Sequence, residues 1–156
     1  MSFVNKVVIV TGSSSGIGAT TAMFAREGAK VTITAIVADI SKEDDAIGIV
    51  NKTVSHFGKL DVLVNNAEVV SYRATMTYAA MPHLVTTKGN IVNVSSIAGV
   101  APGTTSVSDE EVAAATKRMP LGFMTESEEV GELILYLASD KAKRDWAPTL
   151  STSASL

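Results

Sequence analysis

Short apolar runs of four or five residues alternate along the chain with longer segments in which apolar residues recur every three or four positions. The short runs are rich in β-branched residues, which is typical of buried strands, and the longer segments have the spacing of amphipathic helices. The strand candidates are Val7–Val10, Val31–Thr34 with its continuation to Asp39, Leu60–Val64 and Asn90–Val94. Because strands that alternate with helices pair in parallel, the pattern predicts a three-layer α/β sheet.

The helical segments carry recognisable end signals. The first helix follows Val7–Val10 and is expected to end at Gly28 as its C-terminal cap. The second has Ser41 as its predicted N-cap, acidic residues in its first turn and a stop at Gly58. Its predicted inner residues are Ile47, Val50, Val54 and Phe57.

Two further helices are expected towards the end of the chain. One covers Thr75–Leu84. The other opens with a capping box at Thr125–Glu128. Its apolar face is predicted to consist of Val130, Leu133, Ile134 and Leu137.

The length of 156 residues suits one compact domain, and a 46% share of apolar residues excludes wholesale disorder. We expect residues 1–145 to form that domain, and the Ser/Thr-rich, aperiodic residues 146–156 to form a loose tail. No apolar run approaches the roughly 18 residues that span a bilayer, and the start lacks the pattern of a signal peptide. We therefore expect a cytoplasmic protein without a membrane segment.

Charge and composition exclude several kinds of site. The net charge of −3 argues against nucleic-acid binding, which needs clustered Lys and Arg. The absence of cysteine excludes disulfides, thiolate catalysis and zinc–sulfur sites. The two histidines, His56 and His83, share no ligand spacing, so no metal site is expected.

The turn after the first strand is the most informative segment for function. Gly12 can adopt backbone angles that other residues resist, Gly16 lets the main chain approach a ligand, and Gly18 lets the helix pack near the strand. Free N–H groups and the helix dipole make such a turn an anion site suited to a pyrophosphate. The common G-x-G-x-x-G spacing is not met, because Thr21 stands where its third glycine would be, and the P-loop spacing also fails.

Two other interpretations of this turn stay open. Gly12–Gly16 also satisfies the hydrolase pattern G-x-S-x-G, with Ser14 as the nucleophile between a strand and a helix. That elbow normally follows several strands, whereas only one strand precedes it here. The segment is also compatible with a plain flexible turn.

The glycines and three later segments together resemble the classical short-chain dehydrogenase/reductase family. The pattern Thr11-Gly12-x-x-x-Gly16-Ile17-Gly18 is followed in order by Asp61–Ala67, Gly89–Ser96 and Pro102-Gly103. The later segments Pro120–Gly122, Glu128–Val130 and Leu137–Asp140 resemble the family's late helix. Each motif alone is weak evidence, but their ordered succession from Lys6 to Ala142 is highly specific.

The resemblance implies an incomplete Rossmann-type, doubly wound parallel sheet that binds NAD or NADP across the carboxyl ends of its strands. The phosphates would be held by the turn residues Gly12, Ser14, Ser15, Gly16, Ile17 and Gly18. Asn66 and Ala67 would line the nicotinamide-side ribose, whereas Asn65 is expected to tie neighbouring strands together. Ser96 matches the family's catalytic serine, and its alternative role is that of a strand-end serine capping the next loop.

Asp39 has competing interpretations. Its position 21 residues after Gly18 suits the acid that binds the adenosine ribose. Its context, Val37–Ile40, resembles the family segment that contacts the adenine ring, which we prefer and which places Ile40 beside the cofactor. An acid that merely leads into the next helix is the third option.

The family pattern breaks at its acid–base pair, a tyrosine with a lysine four residues later. The residue four positions after each of the three tyrosines is Met76, Pro82 or Asp140. Glu68 replaces the glycine expected after Asn65–Ala67, and whole elements between motifs are missing. The differences resemble the removal of whole segments rather than gradual divergence of the sequence.

These observations lead to three functional hypotheses. The first is an NAD(P)-dependent oxidoreductase that transfers hydride between the nicotinamide and a small-molecule alcohol or carbonyl, inactive at this length. The second is a dinucleotide-binding pseudoenzyme or regulatory module, and the third is the Ser14 hydrolase. The resemblance also implies a homo-oligomer formed through two long helices, one of which is missing from this sequence.

Overall fold

The computed structural model describes residues 2–13, 16–19, 21–32, 42–66, 70–95, 117 and 125–145. Strands and helices alternate through these residues, as the apolar pattern predicts. In chain order the elements are β1 (Val7–Val10), α1 (Gly16–Ala19), α2 (Thr21–Arg26), β2 (Lys30–Thr32), α3 (Glu43–Phe57), β3 (Val62–Asn65), α4 (Val70–Thr87), β4 (Asn90–Asn93), α5 (Ser127–Ala138) and α6 (Asp140–Asp145).

The four described strands form one parallel sheet in the order β2-β1-β3-β4. In its register, Val8 of β1 lies between Val31 of β2 and Val62 of β3. The chain steps from β1 to one side and then crosses back to β3 on the other side. This reversal confirms the doubly wound Rossmann-type sheet, and ligands of such sheets bind at the carboxyl ends where the order reverses.

Alternate residues of the strands enter two separate apolar cores, one on each face of the sheet. Val8, Val62 and Val64 pack on the face covered by Phe24 of α2 and by α5. Val7, Ile9 and Leu63 pack on the opposite face against α3 and α4. Because strands of parallel sheets must be buried on both faces, these two helix layers account for the uninterrupted apolar runs in the sequence. The predicted three-layer arrangement is confirmed.

The amino end of the sheet is fixed by a buried carboxylate. The backbone N–H of Val7 donates to Asp61 Oδ2 at 2.8 Å, and Asp61 N–H donates to the Val7 carbonyl at 2.9 Å. Lys59 Nζ lies 2.9 Å from Asp61 Oδ2. Lys6 Nζ lies 3.4 Å from Asp140 Oδ2, which ties α6 to the same end of the sheet.

The predicted ends of two helices are confirmed. Gly58 follows α3 with φ of 77°, and its N–H donates to the Val54 carbonyl at 2.8 Å. Gly28 follows α2 with φ of 86°. A positive φ is strained for residues with a Cβ, which explains glycine at both positions.

Two predicted helix starts are wrong by one residue. The N-cap of α3 is Lys42, not Ser41, and it makes no side-chain capping bond. The capping box of α5 joins Glu126 to Glu129, whose Oε2 accepts the Glu126 N–H at 2.9 Å, so it does not span Thr125–Glu128. Both helices still carry acids in their first turns, where the helix dipole favours them.

Other boundaries and faces also differ from the predictions. Helix α4 extends beyond Thr75–Leu84 at both ends, and β3 begins two residues after Leu60. Leu133 is 45% exposed, whereas the unpredicted Leu135 is buried, because α5 packs on α1 and α2 as well as on the sheet. On α3 the fully buried residues are Ala46, Val50 and Thr53, with Val54 and Phe57 partly buried.

Some predictions concern residues outside the described ranges. These are the continuation of the second strand to Asp39 and the tail 146–156. The proposed domain limits therefore remain predictions. Among the helices that the structure describes, none is both long and apolar enough to cross a bilayer.

Candidate functional site

The turn after β1 that contains Gly12, Gly16 and Gly18, which we call the glycine turn, lies where the strand order reverses. It leaves the carboxyl end of β1 beside that of β3, and the Thr11 N–H donates to the Val64 carbonyl at 3.0 Å. Gly12 has φ of 68° and Gly16 has φ of 54°. Both values fall in the left-handed region that glycine adopts without strain, so the sequence pattern and the backbone agree at these two positions.

Gly18 is required by close packing. A Cβ on this residue would overlap the carbonyl oxygen of Gly12 and would lie 2.8 Å from the Cα of Ser13. Only a hydrogen atom fits between α1 and the turn. The predicted reason for Gly18, close approach of helix and strand end, is thereby confirmed.

Gly16 has open space beside it instead. Apart from Gly16, its two chain neighbours and the adjacent backbone of α1, no heavy atom of the described residues lies within 4 Å of the position that its Cβ would take. The main chain at Gly16 is therefore accessible from that side, and a side chain there would fill the space. This is the geometry that a ligand held against the backbone needs.

Asn66 connects the end of β3 to the turn. Its Nδ2 donates to the carbonyl oxygens of Thr11 at 3.1 Å and of Gly12 at 3.3 Å. Its backbone N–H donates to Thr11 Oγ1 at 3.0 Å. The two segments are 54 and 55 residues apart in sequence, so this arrangement fixes the turn from outside.

Asn65 acts in the sheet, as expected. Its side chain is buried, and Nδ2 donates to Asn93 Oδ1 at 2.9 Å and to Thr77 Oγ1 at 3.1 Å. These bonds tie β3 to β4 and to α4. The expectation that Asn65 links neighbouring strands is confirmed.

Five of the predicted cofactor residues lie together at this edge of the sheet. They are Gly12, Gly16, Ile17, Gly18 and Asn66, and the side chain of Ile17 packs against the core on the α5 side. The remaining predicted site residues lie outside the described ranges: Ser14, Ser15, Asp39, Ile40, Ala67 and the catalytic candidate Ser96.

Thr11 is the residue that sequence reasoning missed. It is 8% exposed, and its hydroxyl accepts from Asn66 N–H and donates to the Val64 carbonyl at 3.4 Å. The only sequence signal was its place at the head of the glycine motif. Because Thr11 is β-branched and directly follows Val7–Val10, the pattern is equally compatible with Thr11 as the last residue of the strand.

The structure describes the side chains of Tyr78 and Tyr136. Tyr78 is 85% exposed on α4. Tyr136 directly precedes Leu137 on α5. The Leu137 carbonyl accepts from Asn90 Nδ2 at the amino end of β4, so Tyr136 lies at the end of the sheet opposite the glycine turn. Lys141 Nζ lies 6.0 Å from the Tyr136 ring centroid, over its face, which is a cation–π contact.

No group of three or more His, Asp or Glu side chains that could hold a metal ion occurs among the residues that the structure describes. The chemistry of the edge is instead that of backbone amides and carbonyls around three glycines. Such an edge suits an anionic ligand rather than a cation.

No family model matches the chain. It is 36% identical, over 146 positions, to a Streptomyces violaceoruber protein that carries the name of a granaticin polyketide synthase ketoacyl reductase. That match covers 65% of this chain and 59% of the relative, and the first three curated relatives are covered over 59%, 51% and 46% of their lengths. The chain thus spans about half the length of these relatives.

A second relative is matched over nearly its whole length. The 3-oxoacyl-acyl-carrier-protein reductase of Thermotoga maritima is 28% identical over 229 positions, which cover 88% of this chain and 92% of the relative. An alignment of 229 positions is longer than the 156 residues of this chain. It therefore has to skip internal segments of the relative, which agrees with the clean breaks between motifs.

A solved structure agrees over the whole fold. The Caenorhabditis elegans short-chain dehydrogenase/reductase of unknown function, determined with its cofactor, superposes with a TM-score of 0.78 at 25% identity. The match covers 98% of this chain and 94% of that one. These relatives lend no support to the hydrolase hypothesis for Ser14. The glycine turn at the strand reversal, the ordered motifs and these matches identify the chain as a shortened member of the short-chain dehydrogenase/reductase family.

Proposed function

We propose that this chain binds NAD or NADP at the glycine turn, as an oxidoreductase-type protein of its family. The observation that carries the proposal is the left-handed Gly16, beside which the described residues leave open space, at the point where the strand order reverses. The bound dinucleotide would supply a nicotinamide ring that gives or accepts a hydride. In the family, hydride passes between that ring and an alcohol or carbonyl.

The residues of the turn fit a pyrophosphate. Backbone N–H groups from Gly12 to Gly18, including those of Ser14, Ser15 and Ile17, would bind its oxygens, since main-chain amides at a helix start favour anions. Asp39 and Ile40 would contact the adenine end. Ala67 would lie near the nicotinamide-side ribose, together with the end of β3.

The proton-transfer half of the reaction has no donor in the family's position. Ser96 would still hydrogen-bond a substrate oxygen, but none of the three tyrosines is followed by lysine four residues later. General acid–base catalysis typically contributes about 10² to 10⁴ in rate. We therefore propose that this chain binds the dinucleotide with negligible turnover.

A non-catalytic, dinucleotide-binding regulatory module is the second candidate. It is favoured by the placement of Tyr136 at the amino end of the sheet, the end opposite the glycine turn. In this case the bound dinucleotide would stabilise the fold, because a ligand that binds only the native state shifts the unfolding equilibrium.

Substrate, assembly and location are proposed from the names of the relatives, from the surface of α4 and from the composition. A small alcohol or carbonyl is proposed because the relatives carry the names of reductases and dehydrogenases. A homo-oligomer is supported by Tyr78, Met81 and Val85, which are exposed on one face of α4. A cytoplasmic location is proposed from the composition alone.

Calorimetric titration of the protein with NADH and with NADPH tests the proposal. We expect saturable binding of at least one of them with a stoichiometry near one, and displacement by the corresponding oxidised form. Failure of both dinucleotides to bind the folded protein would contradict it. Irreversible modification by a serine-directed organophosphate would point to the Ser14 hydrolase instead.

A further inference from the structure

We propose that one internal water molecule binds between β3 and α4, where it donates to Asn65 Oδ1 and accepts from the hydroxyl of Thr77. We name these two groups the β3–α4 water site. The inference starts from Asn65, whose side chain is only 1% exposed. It concerns the core beside the carboxyl end of β3 and does not depend on dinucleotide binding.

Asn65 uses only half of its hydrogen-bonding capacity within the described part of the chain. Its Nδ2 carries two hydrogens, which are donated to Asn93 Oδ1 at 2.9 Å and to Thr77 Oγ1 at 3.1 Å. Its Oδ1 is equally buried and accepts from no protein group there. Exchanging the two amide atoms would only transfer the deficit to Nδ2. Because an unpaired buried amide oxygen is costly, such atoms normally bind protein or ordered water.

The hydroxyl of Thr77 is the complementary group. A threonine within a helix can donate to the carbonyl four residues back. Thr53 on α3 and Thr86 on α4 do so, each at 2.9 Å. Among the described residues Thr77 makes no such bond, because its Oγ1 faces Asn65 and accepts from Nδ2. One buried acceptor and one hydroxyl donor thus lie side by side and await a partner.

The distances allow one water molecule to bind both groups. The nitrogen and oxygen of an amide are about 2.2 Å apart, as the standard C–N and C=O bond lengths require. Since Thr77 Oγ1 lies 3.1 Å from Asn65 Nδ2, the two oxygens of the site are at most about 5.3 Å apart. A water molecule that makes two hydrogen bonds of about 2.8 Å reaches across about 5.6 Å. The covered position of Asn65 restricts the ligand to a molecule as small as water.

The water adds a second link between β3 and α4 beside the direct bond from Asn65 to Thr77. Asn65 also binds Asn93 of β4, so three elements meet at one polar point. The surrounding core on this face of the sheet is apolar, with Met76 and Ala80 of α4 fully buried in it. In such surroundings a bridging water contributes nearly as much as a direct hydrogen bond.

Water contacts of the Asn65 side-chain amide test the site, measured by NMR on the dinucleotide-free protein. An internal water that tumbles with the protein gives NOE and ROE cross-peaks of opposite sign, whereas hydration water at the exposed amide of Asn51 does not. Thr77→Val removes the hydroxyl with little change of shape, and Thr77→Ser keeps it. Thr53→Val is the matched control, because Thr53 is also buried in a helix but its hydroxyl is occupied by the Ile49 carbonyl.

We expect the internal-water contact at Asn65 in the parent, in Thr77→Ser and in Thr53→Val, and its loss in Thr77→Val. The urea midpoint of unfolding should fall further in Thr77→Val than in Thr53→Val. A parent without that contact would overturn the proposal, and so would a contact that persists in Thr77→Val. If Thr77→Val does not fold, the parent spectrum decides alone. Failure to bind NADH or NADPH would contradict the proposed function and leave this result unaffected.

Discussion

The Cα of Gly18 is packed so tightly against the carbonyl of Gly12 that a Cβ on Gly18 would overlap the oxygen and lie 2.6 Å from the carbonyl carbon. Between helix α1 and the turn after β1 there is therefore room only for the Cα hydrogen of Gly18. The neighbour in this contact is backbone, which cannot move aside as a flexible side chain can. The position of the helix start, and with it the shape of the candidate site, depends on this contact.

Gly18→Ala is expected to destabilise the protein and to weaken dinucleotide binding, because either the turn or the helix has to move. Overpacking of this kind typically costs about 1–3 kcal/mol. The free energy of unfolding in urea and the dissociation constant of NADH measure the two effects.

Gly48→Ala is the matched control for this change. Gly48 lies inside α3 with open space around its Cβ position, counted over the described atoms. Alanine in a helix interior is favoured over glycine by about 1 kcal/mol, so this variant should be slightly more stable and bind normally. Equal behaviour of the two alanine variants would be incompatible with tight packing at Gly18.

Asp61→Ala is expected to destabilise the sheet by about 1–3 kcal/mol, because it leaves the N–H of Val7 buried without its acceptor. The charge of Lys59 also loses its partner. Chemical denaturation measures the loss.

Asp140→Ala provides the comparison at the same end of the sheet. The Asp140 side chain is 58% exposed, and its contact with Lys6 is at 3.4 Å. Exposed ion pairs contribute about 0–1 kcal/mol, so the loss should be small. A larger loss for Asp140→Ala than for Asp61→Ala would show that the exposed ion pair, not the buried carboxylate, fixes this end.

The sequence pattern predicted the parallel sheet because β-branched runs and helical spacing are local properties that burial on both faces imposes. It predicted Gly12, Gly16 and Gly18 because backbone angles and close packing restrict residue type. It misjudged Leu133, because the inner face of α5 is set by contacts with α1 and α2 that come from distant segments. It missed the role of Thr11 for the same reason, since its partner Asn66 is 55 residues away.

The chain should show negligible oxidation of NAD(P)H with ketones and aldehydes, because no tyrosine–lysine pair is present to move the proton. The loss of NAD(P)H absorbance measures this, with Ser96→Ala as the control. Robust turnover that disappears in Ser96→Ala would contradict the prediction. Tyr72 and Tyr78 would then be the first residues to replace in a search for a substitute acid.

Dinucleotide binding at Gly16 is the central claim, and a pair of matched glycine variants tests it most directly. Gly16 and Gly58 have φ of 54° and 77°, and neither has a described heavy atom from beyond its neighbouring residues within 4 Å of its Cβ position. Valine therefore brings similar backbone strain at both positions, but Gly58 lies at the end of α3, away from the turn. Calorimetric titration with NADH and NADPH should show binding by Gly58→Val and none by Gly16→Val, whereas equal binding by both variants would contradict the account.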